Sequence, residues 1–189
     1  MRTFDTIHGA MAEVSRDIIE MGVRADDDIE MLEYSFIIPA WPEQEDLVNT
    51  TWGIPMAYNQ MKSEIAQLVG DGKMFEGAVE HILGNKAEEG CVPDWWELHK
   101  DQLQVQIAMN HLDKLMVRVT VKGSTDTYTE LGYRIALSHF ISRYIYSQLS
   151  ASPKQVAPID AQPTEINLKI LRAKVSEVDD LKIAQGNLL

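Results

Sequence analysis

The chain has 189 residues, a net charge of −12 and 45% hydrophobic residues, a composition that fits one soluble domain with an appendage. No apolar run approaches the roughly 18 residues that span a bilayer, and the N-terminus lacks the charged-then-apolar layout of a signal peptide. We therefore expect a cytoplasmic or virion protein that is neither bound to a membrane nor secreted through a signal peptide. General nucleic-acid binding is disfavoured because it needs Lys and Arg to neutralise phosphates.

The negative charge is concentrated at one end of the chain. Residues 1–50 have a net charge of −9, whereas residues 101–150 have a net charge of +1. Such complementary regions favour contact with each other, within one subunit or between subunits. The single cysteine, Cys91, excludes an internal disulfide and gives no metal-site spacing.

The spacing of apolar residues predicts a mainly α-helical fold. Helical periodicity is found over residues 4–23, 55–69, 73–83, 95–116 and 128–149. The last two are the longest, and we expect them to form an antiparallel hairpin at the centre of a bundle-like domain. Two short β-branched or aromatic stretches, 34–38 and 117–121, fit short strands. The predicted domain covers residues 1–149.

Residues 150–189 are predicted to be an extended C-terminal arm. Three prolines, Pro153, Pro158 and Pro163, precede an amphipathic segment that begins at Thr164. A helix there would align an apolar seam that docks on a neighbouring subunit, made of Leu168, Leu171, Val175, Val178 and Leu181. The alternation of Ile166, Leu168 and Ile170 fits a strand equally well. We favour the helix because the seam persists longer than the alternation.

The sequence contains two acidic pairs with the spacing of one helical face. These pairs are Glu30 with Glu33 and Glu76 with Glu80. Paired carboxylates can hold magnesium against a polyphosphate, so a magnesium-dependent helical nucleotide pyrophosphohydrolase is one alternative. Solvated acidic faces are common in acidic proteins, and this explanation is preferred.

No motif in the sequence specifies a reaction. The five histidines lack the spacing of a zinc-binding helix, and no phosphate-binding glycine loop or nucleophile elbow is found. We therefore expect no catalytic residues, no metal and no cofactor. The favoured function is a non-catalytic structural or adaptor subunit of an oligomeric assembly, for example a phage connector, with protein subunits as partners through the C-terminal arm. A further alternative is an acidic inhibitor that mimics nucleic acid.

Overall fold

The computed structural model describes residues 1–40, 75–155 and 158–186, together with positions 63, 66, 67 and 70. Within these residues, eight strands form one mixed sheet. The strands are β1 (Arg2–Thr3), β2 (Val23–Ala25), β3 (Asp28–Ile38), β4 (Trp96–Lys100), β5 (Leu103–Met109), β6 (Lys114–Asp126), β7 (Asp160–Ala161) and β8 (Thr164–Lys174). The helices are α1 (Ile7–Met21), α2 (Ala78–Gly84), α3 (Leu131–Ala151) and α4 (Val178–Gly186), the last preceded by a 3-10 turn, Val175–Glu177.

This α/β architecture shows that the prediction of a mainly α-helical, all-α bundle is wrong. The sheet order is β1-β3-β8-β6-β5-β4, while β2 pairs with β3 and β7 pairs with β6. At the centre, β8 is antiparallel to β3 and parallel to β6. The parallel pair cannot be joined by a tight turn, and α3 lies in the connection between β6 and β8.

The predicted helix over residues 95–116 is the main error. Its apolar residues alternate at period two in β5, where Leu103, Val105 and Ile107 are all buried. A tight turn at Asp101, with a left-handed φ of 53°, joins β4 to β5. A second turn, at Asp113 with φ 56°, joins β5 to β6. The short strand predicted at 117–121 is part of the much longer β6.

The predicted C-terminal helix beginning at Thr164 is also wrong in its first half. Residues 164–174 form β8, which lies between β3 and β6. Strand alternation places Ile166 and Leu168 on one face, and both are buried. Helical structure begins only at the 3-10 turn, Val175–Glu177. The C-terminal segment therefore supplies a central strand of the chain's own sheet.

Two of the predicted helices are confirmed within a few residues. The helix predicted at 4–23 is α1, and Thr6 caps it by accepting a hydrogen bond from the Gly9 backbone N–H at 2.9 Å. The helix predicted at 128–149 is α3. The helix predicted at 55–69 lies largely outside the described residues. No helix in the described part of the chain is long and apolar enough to cross a bilayer.

The helices cover one face of the sheet. Helix α1 contacts β3 and β8, α2 contacts β4 and β5, and α3 contacts β5 and β6. The buried face of β6, for example Val119 and Val121, belongs to one core with Ile135 and Ile141 of α3. We call the opposite side of the sheet the open face, because no described helix packs on it.

Candidate functional site

The structure does not bring together the four carboxylates on which the magnesium-dependent alternative depends. Glu30 and Glu33 lie on β3, whereas Glu76 and Glu80 lie at the start of α2. Helix α2 packs on β4 and β5, and two other strands separate β3 from β5. Each of three carboxylates also has a basic partner: Glu30 pairs with Arg172, Glu33 with Lys169 and Glu80 with Lys154.

The described residues also give little support for metal or nucleophilic chemistry. Among the described residues, no group of three or more His, Cys, Asp or Glu side chains could hold a metal ion. Cys91 is exposed in a turn in which its N–H donates to the carbonyl of Glu88.

The five residues predicted as a docking seam do not form one exposed stripe. Leu168, Leu171 and Leu181 are buried in the chain's own core, whereas Val175 and Val178 are half-buried. Because Leu168 and Leu171 face the helices, they contribute to the core of this domain. The candidate functional surface is the open face, on the other side of the sheet.

Mainly polar side chains cross the open face in two rows. The strand registers align the first row from β3 to β4 as Ile37, Glu165, Arg118, Gln106 and Glu97. The second row is Ser35, Asn167, Thr120, Gln104 and His99. Most of these side chains are half-buried, although no described helix covers them.

The two rows are linked by hydrogen bonds at the centre of the face. The Glu165 carboxylate accepts from Arg118 Nε at 3.1 Å and from Asn167 Nδ2 at 2.9 Å. The Asn167 carbonyl oxygen in turn accepts from the Ser35 hydroxyl at 2.7 Å. These groups therefore satisfy one another without an external partner.

A similar cluster is found at the β4 edge. The Glu97 carboxylate accepts from Gln106 at 2.6 Å and from Gln104 at 3.0 Å, and it lies 3.1 Å from His99 Nε2. The hydrogen bond from Gln106 and those from His99 and Gln104 hold the pKa of Glu97 below its usual value, against a smaller effect of burial. Glu97 therefore stays ionised under mildly acidic conditions.

An irregularity at Glu33 changes which side chains face outward. Glu33 has a φ of 54°, a left-handed conformation that is unusual for a non-glycine residue inside a strand. Regular alternation would place Leu32 on the helix side with Tyr34 and Phe36, but Leu32 is 70% exposed. On β8 the buried positions shift likewise, from Leu168 to Leu171. The irregularity thus moves Leu32 to the open face.

Leu32 belongs to an exposed apolar patch at one end of the open face. Val23 of β2 pairs with Glu30 and is 72% exposed, and Met21 lies beside it at the end of α1. A groove of about 530 Å³ is lined by Met21, Val23, Ala25, Glu30, Met31 and Leu32. Exposed apolar patches of this kind are typical of protein interfaces. We call Met21, Val23 and Leu32 the apolar patch.

A cavity lies at the opposite end of the open face. The Arg118 guanidinium stacks over the ring of Trp95, 5.0 Å from its centroid. Together with Ile37, Met116 and Glu165 these residues line a cavity of about 460 Å³. We call it the Trp95 cavity. Its walls combine an aromatic ring, apolar side chains and one ion pair.

Sequence reasoning missed the open face because it assigned residues 95–116 to a helix. The alternation of Gln104 and Gln106 with Leu103, Val105 and Ile107 was the available signal. The position of the apolar patch could not be predicted in this way, since it depends on the irregularity at Glu33.

Comparison with known proteins establishes the fold alone. No family model and no curated protein matches the chain. A solved structure of a thermostable thymidylate synthase A from Bacillus subtilis is similar, with a TM-score of 0.58 and 10% sequence identity. The match covers 98% of this chain and 84% of that one. At this identity the likeness concerns the path of the backbone and carries no activity.

Proposed function

We propose that this protein is a non-catalytic subunit of an oligomeric assembly, in which a second copy of the chain covers the open face. The observation that carries the proposal is the apolar patch. Leu32 and Val23 are among the most exposed large apolar side chains, and both lie on the face that no described helix covers. Burying one leucine or valine side chain contributes about 1.5–3 kcal/mol, and a two-fold interface buries each of them twice.

The polar rows support this proposal because they are suited to removal from water. Burying a polar group is costly when its partner is lost, and much less so when it keeps a hydrogen bond. Ser35, Asn167 and Glu165 already bond to one another, and the charge of Glu165 is paired with that of Arg118. A second copy could cover these groups without leaving them unpaired.

The charges of the open face favour another copy of the same chain as the occupant. An interface between identical copies must be complementary to itself. Positive and negative side chains alternate here, as Arg118 beside Glu165, Lys169 beside Glu33 and Arg172 beside Glu30. The net charge of −12 makes two copies repel each other, so association needs a mixed-charge surface of this kind.

The proposal is tested by placing a charge in the apolar patch. Leu32→Asp and Val23→Asp should convert the oligomer to a monomer, as measured by light scattering at micromolar concentration. Leu112→Asp is the matched control, because Leu112 is 62% exposed in the β5–β6 turn and lies outside the open face. A wild-type protein with the mass of a single chain, or a Leu32→Asp oligomer as stable as the control, would refute the proposal.

A further inference from the structure

We infer that the two copies pack with their strands antiparallel, so that Leu32 of each copy enters the Trp95 cavity of the other. This inference rests on the proposed function and adds the orientation of the second copy. It follows from two complementary features of one face: an exposed apolar side chain at one end and, at the other, a cavity whose wall is partly aromatic and apolar.

The two features lie at matching positions along the same strands. Leu32 projects from β3 beyond the irregularity at Glu33, and Ile37 of the same strand lines the Trp95 cavity. They are five residues apart in the sequence, and a strand rises about 3.4 Å per residue, so roughly 17 Å separates them. Rotation about an axis between them exchanges the two positions.

A two-fold axis across the strands brings each Leu32 to the other copy's cavity. Such an axis would pass near Ser35, Asn167 and Thr120, which lie side by side in the second row. These side chains are uncharged, and Asn167 and Ser35 are already bonded to each other. Where these three side chains meet their own copies at the axis, no like charges are brought together.

The charges on β8 agree with this orientation. Glu165 and Lys169 lie two residues to either side of Asn167, so Glu165 of one copy would lie opposite Lys169 of the other. Arg118 would lie opposite Lys122 of the second copy, but Arg118 is already paired with Glu165 and stacked on Trp95. Lys169 is likewise paired with Glu33 of its own chain. At each of the two symmetric β8 contacts, the pair of Glu165 with Arg118 would therefore meet the pair of Lys169 with Glu33, with opposite charges facing each other.

The alternative, a two-fold axis along the strands, does not bring Leu32 to the Trp95 cavity of the second copy. It places the cavity end of one copy over the cavity end of the other. Leu32 would then lie at the far end from the Trp95 cavity of the second copy. Of these two arrangements, the antiparallel one places an exposed apolar side chain against the aromatic and apolar part of the cavity wall, as strong interface contacts usually do.

Cysteine cross-linking decides between the two orientations. In a Cys91→Ser background, the variants are Leu32→Cys, Ile37→Cys and the double variant, each treated with a bis-maleimide that reaches about 10 Å, the spacing of packed sheets. The double variant should form a covalent dimer, whereas each single variant should not. Within one chain the two cysteines are too far apart for the reagent. Leu112→Cys is the matched control outside the face.

The outcomes separate this inference from the proposed function. If light scattering shows that the wild-type protein is a monomer, both the inference and the proposed function are refuted. An oligomer whose single variants cross-link as well as the double variant refutes the antiparallel orientation and leaves the assembly intact. An oligomer in which the double variant fails to cross-link, although both cysteines react with a mono-maleimide after dilution to monomer, refutes the orientation as well.

Discussion

Acidification should destabilise the protein through His139. This residue lies on α3 and is buried. Burial, together with the nearby positive charge of Arg143, lowers the pKa of His139 from 6.5 to about 4, against an opposing hydrogen bond to the backbone of Ala40. In the unfolded chain the imidazole regains its ordinary pKa, so the unfolded state binds more protons between pH 6.5 and pH 4.

The sign and size of the effect follow from proton linkage. Because the folded-state pKa is depressed, the free energy of unfolding falls as the pH drops through this window and levels off below pH 4. The shift corresponds to a loss of about 3 kcal/mol in total, of which about 2 kcal/mol is lost between pH 7 and pH 5. Few carboxylates titrate above pH 5, and comparison with a variant that lacks His139 separates its contribution from that of the other four histidines.

Urea denaturation of the wild type and of His139→Gln at pH 7 and pH 5 measures this effect. The variant should lose about 2 kcal/mol less than the wild type over that interval, whatever its stability at pH 7. His111→Gln, which removes an exposed histidine, serves as the control and should behave like the wild type. Equal losses for the wild type and His139→Gln would refute the reasoning.

Three further substitutions probe the packing of the domain. Leu171→Asp should unfold the whole chain, because it puts a charge at a fully buried position of the central strand and costs about 4 kcal/mol or more; a folded variant by circular dichroism would contradict this. Gly22→Ala should cost about 1–3 kcal/mol in a urea titration, since its Cβ would lie 2.4 Å from the carbonyl oxygen of Ile18; unchanged stability would show that the backbone can relax. Asp17→Asn should cost about 1–3 kcal/mol in the same titration, because buried Asp17 accepts two hydrogen bonds from Arg2 and one from Tyr34; a loss below the error of the titration would contradict it.

The helices that pack with one side against the sheet could be predicted from the sequence. In α1 the apolar residues Ile7, Met11, Val14 and Ile18 form one buried stripe, and this pattern has a single interpretation. The helix predicted at residues 95–116 is wrong because apolar residues are so frequent there that the helix and strand patterns overlap. The tight turns at Asp101 and Asp113 decide in favour of strands, and nothing in the local pattern marks them strongly.

The helix predicted from Thr164 onward is wrong for a different physical reason. Leu168 and Leu171 are three residues apart, a helical spacing, but both are buried because the strand is irregular between them. An irregular strand therefore imitates helical periodicity over a short span. The prolines before it also suggested a detached arm, whereas the strand they lead into lies between β3 and β6.

The open face depends on contacts that only the fold creates. The first row joins Glu165 to Arg118, which are 47 residues apart in the chain. The exposure of Leu32 depends on the conformation of Glu33 and on the matching shift in β8. A single sequence does not specify which residues of two distant strands lie opposite each other, so neither feature could be predicted from it.

Hydroxyl-radical footprinting tests most directly whether a second copy covers the open face. The extent of oxidation of Leu32 and Val23 is compared with that of Leu112, an exposed apolar residue in the β5–β6 turn. At micromolar concentration Leu32 and Val23 should be protected relative to Leu112, and protection should disappear on dilution or in Val23→Asp, where Leu32 remains as the reporter. Oxidation of Leu32 and Val23 at the rate expected from their exposure in one chain, independent of concentration, would contradict the account.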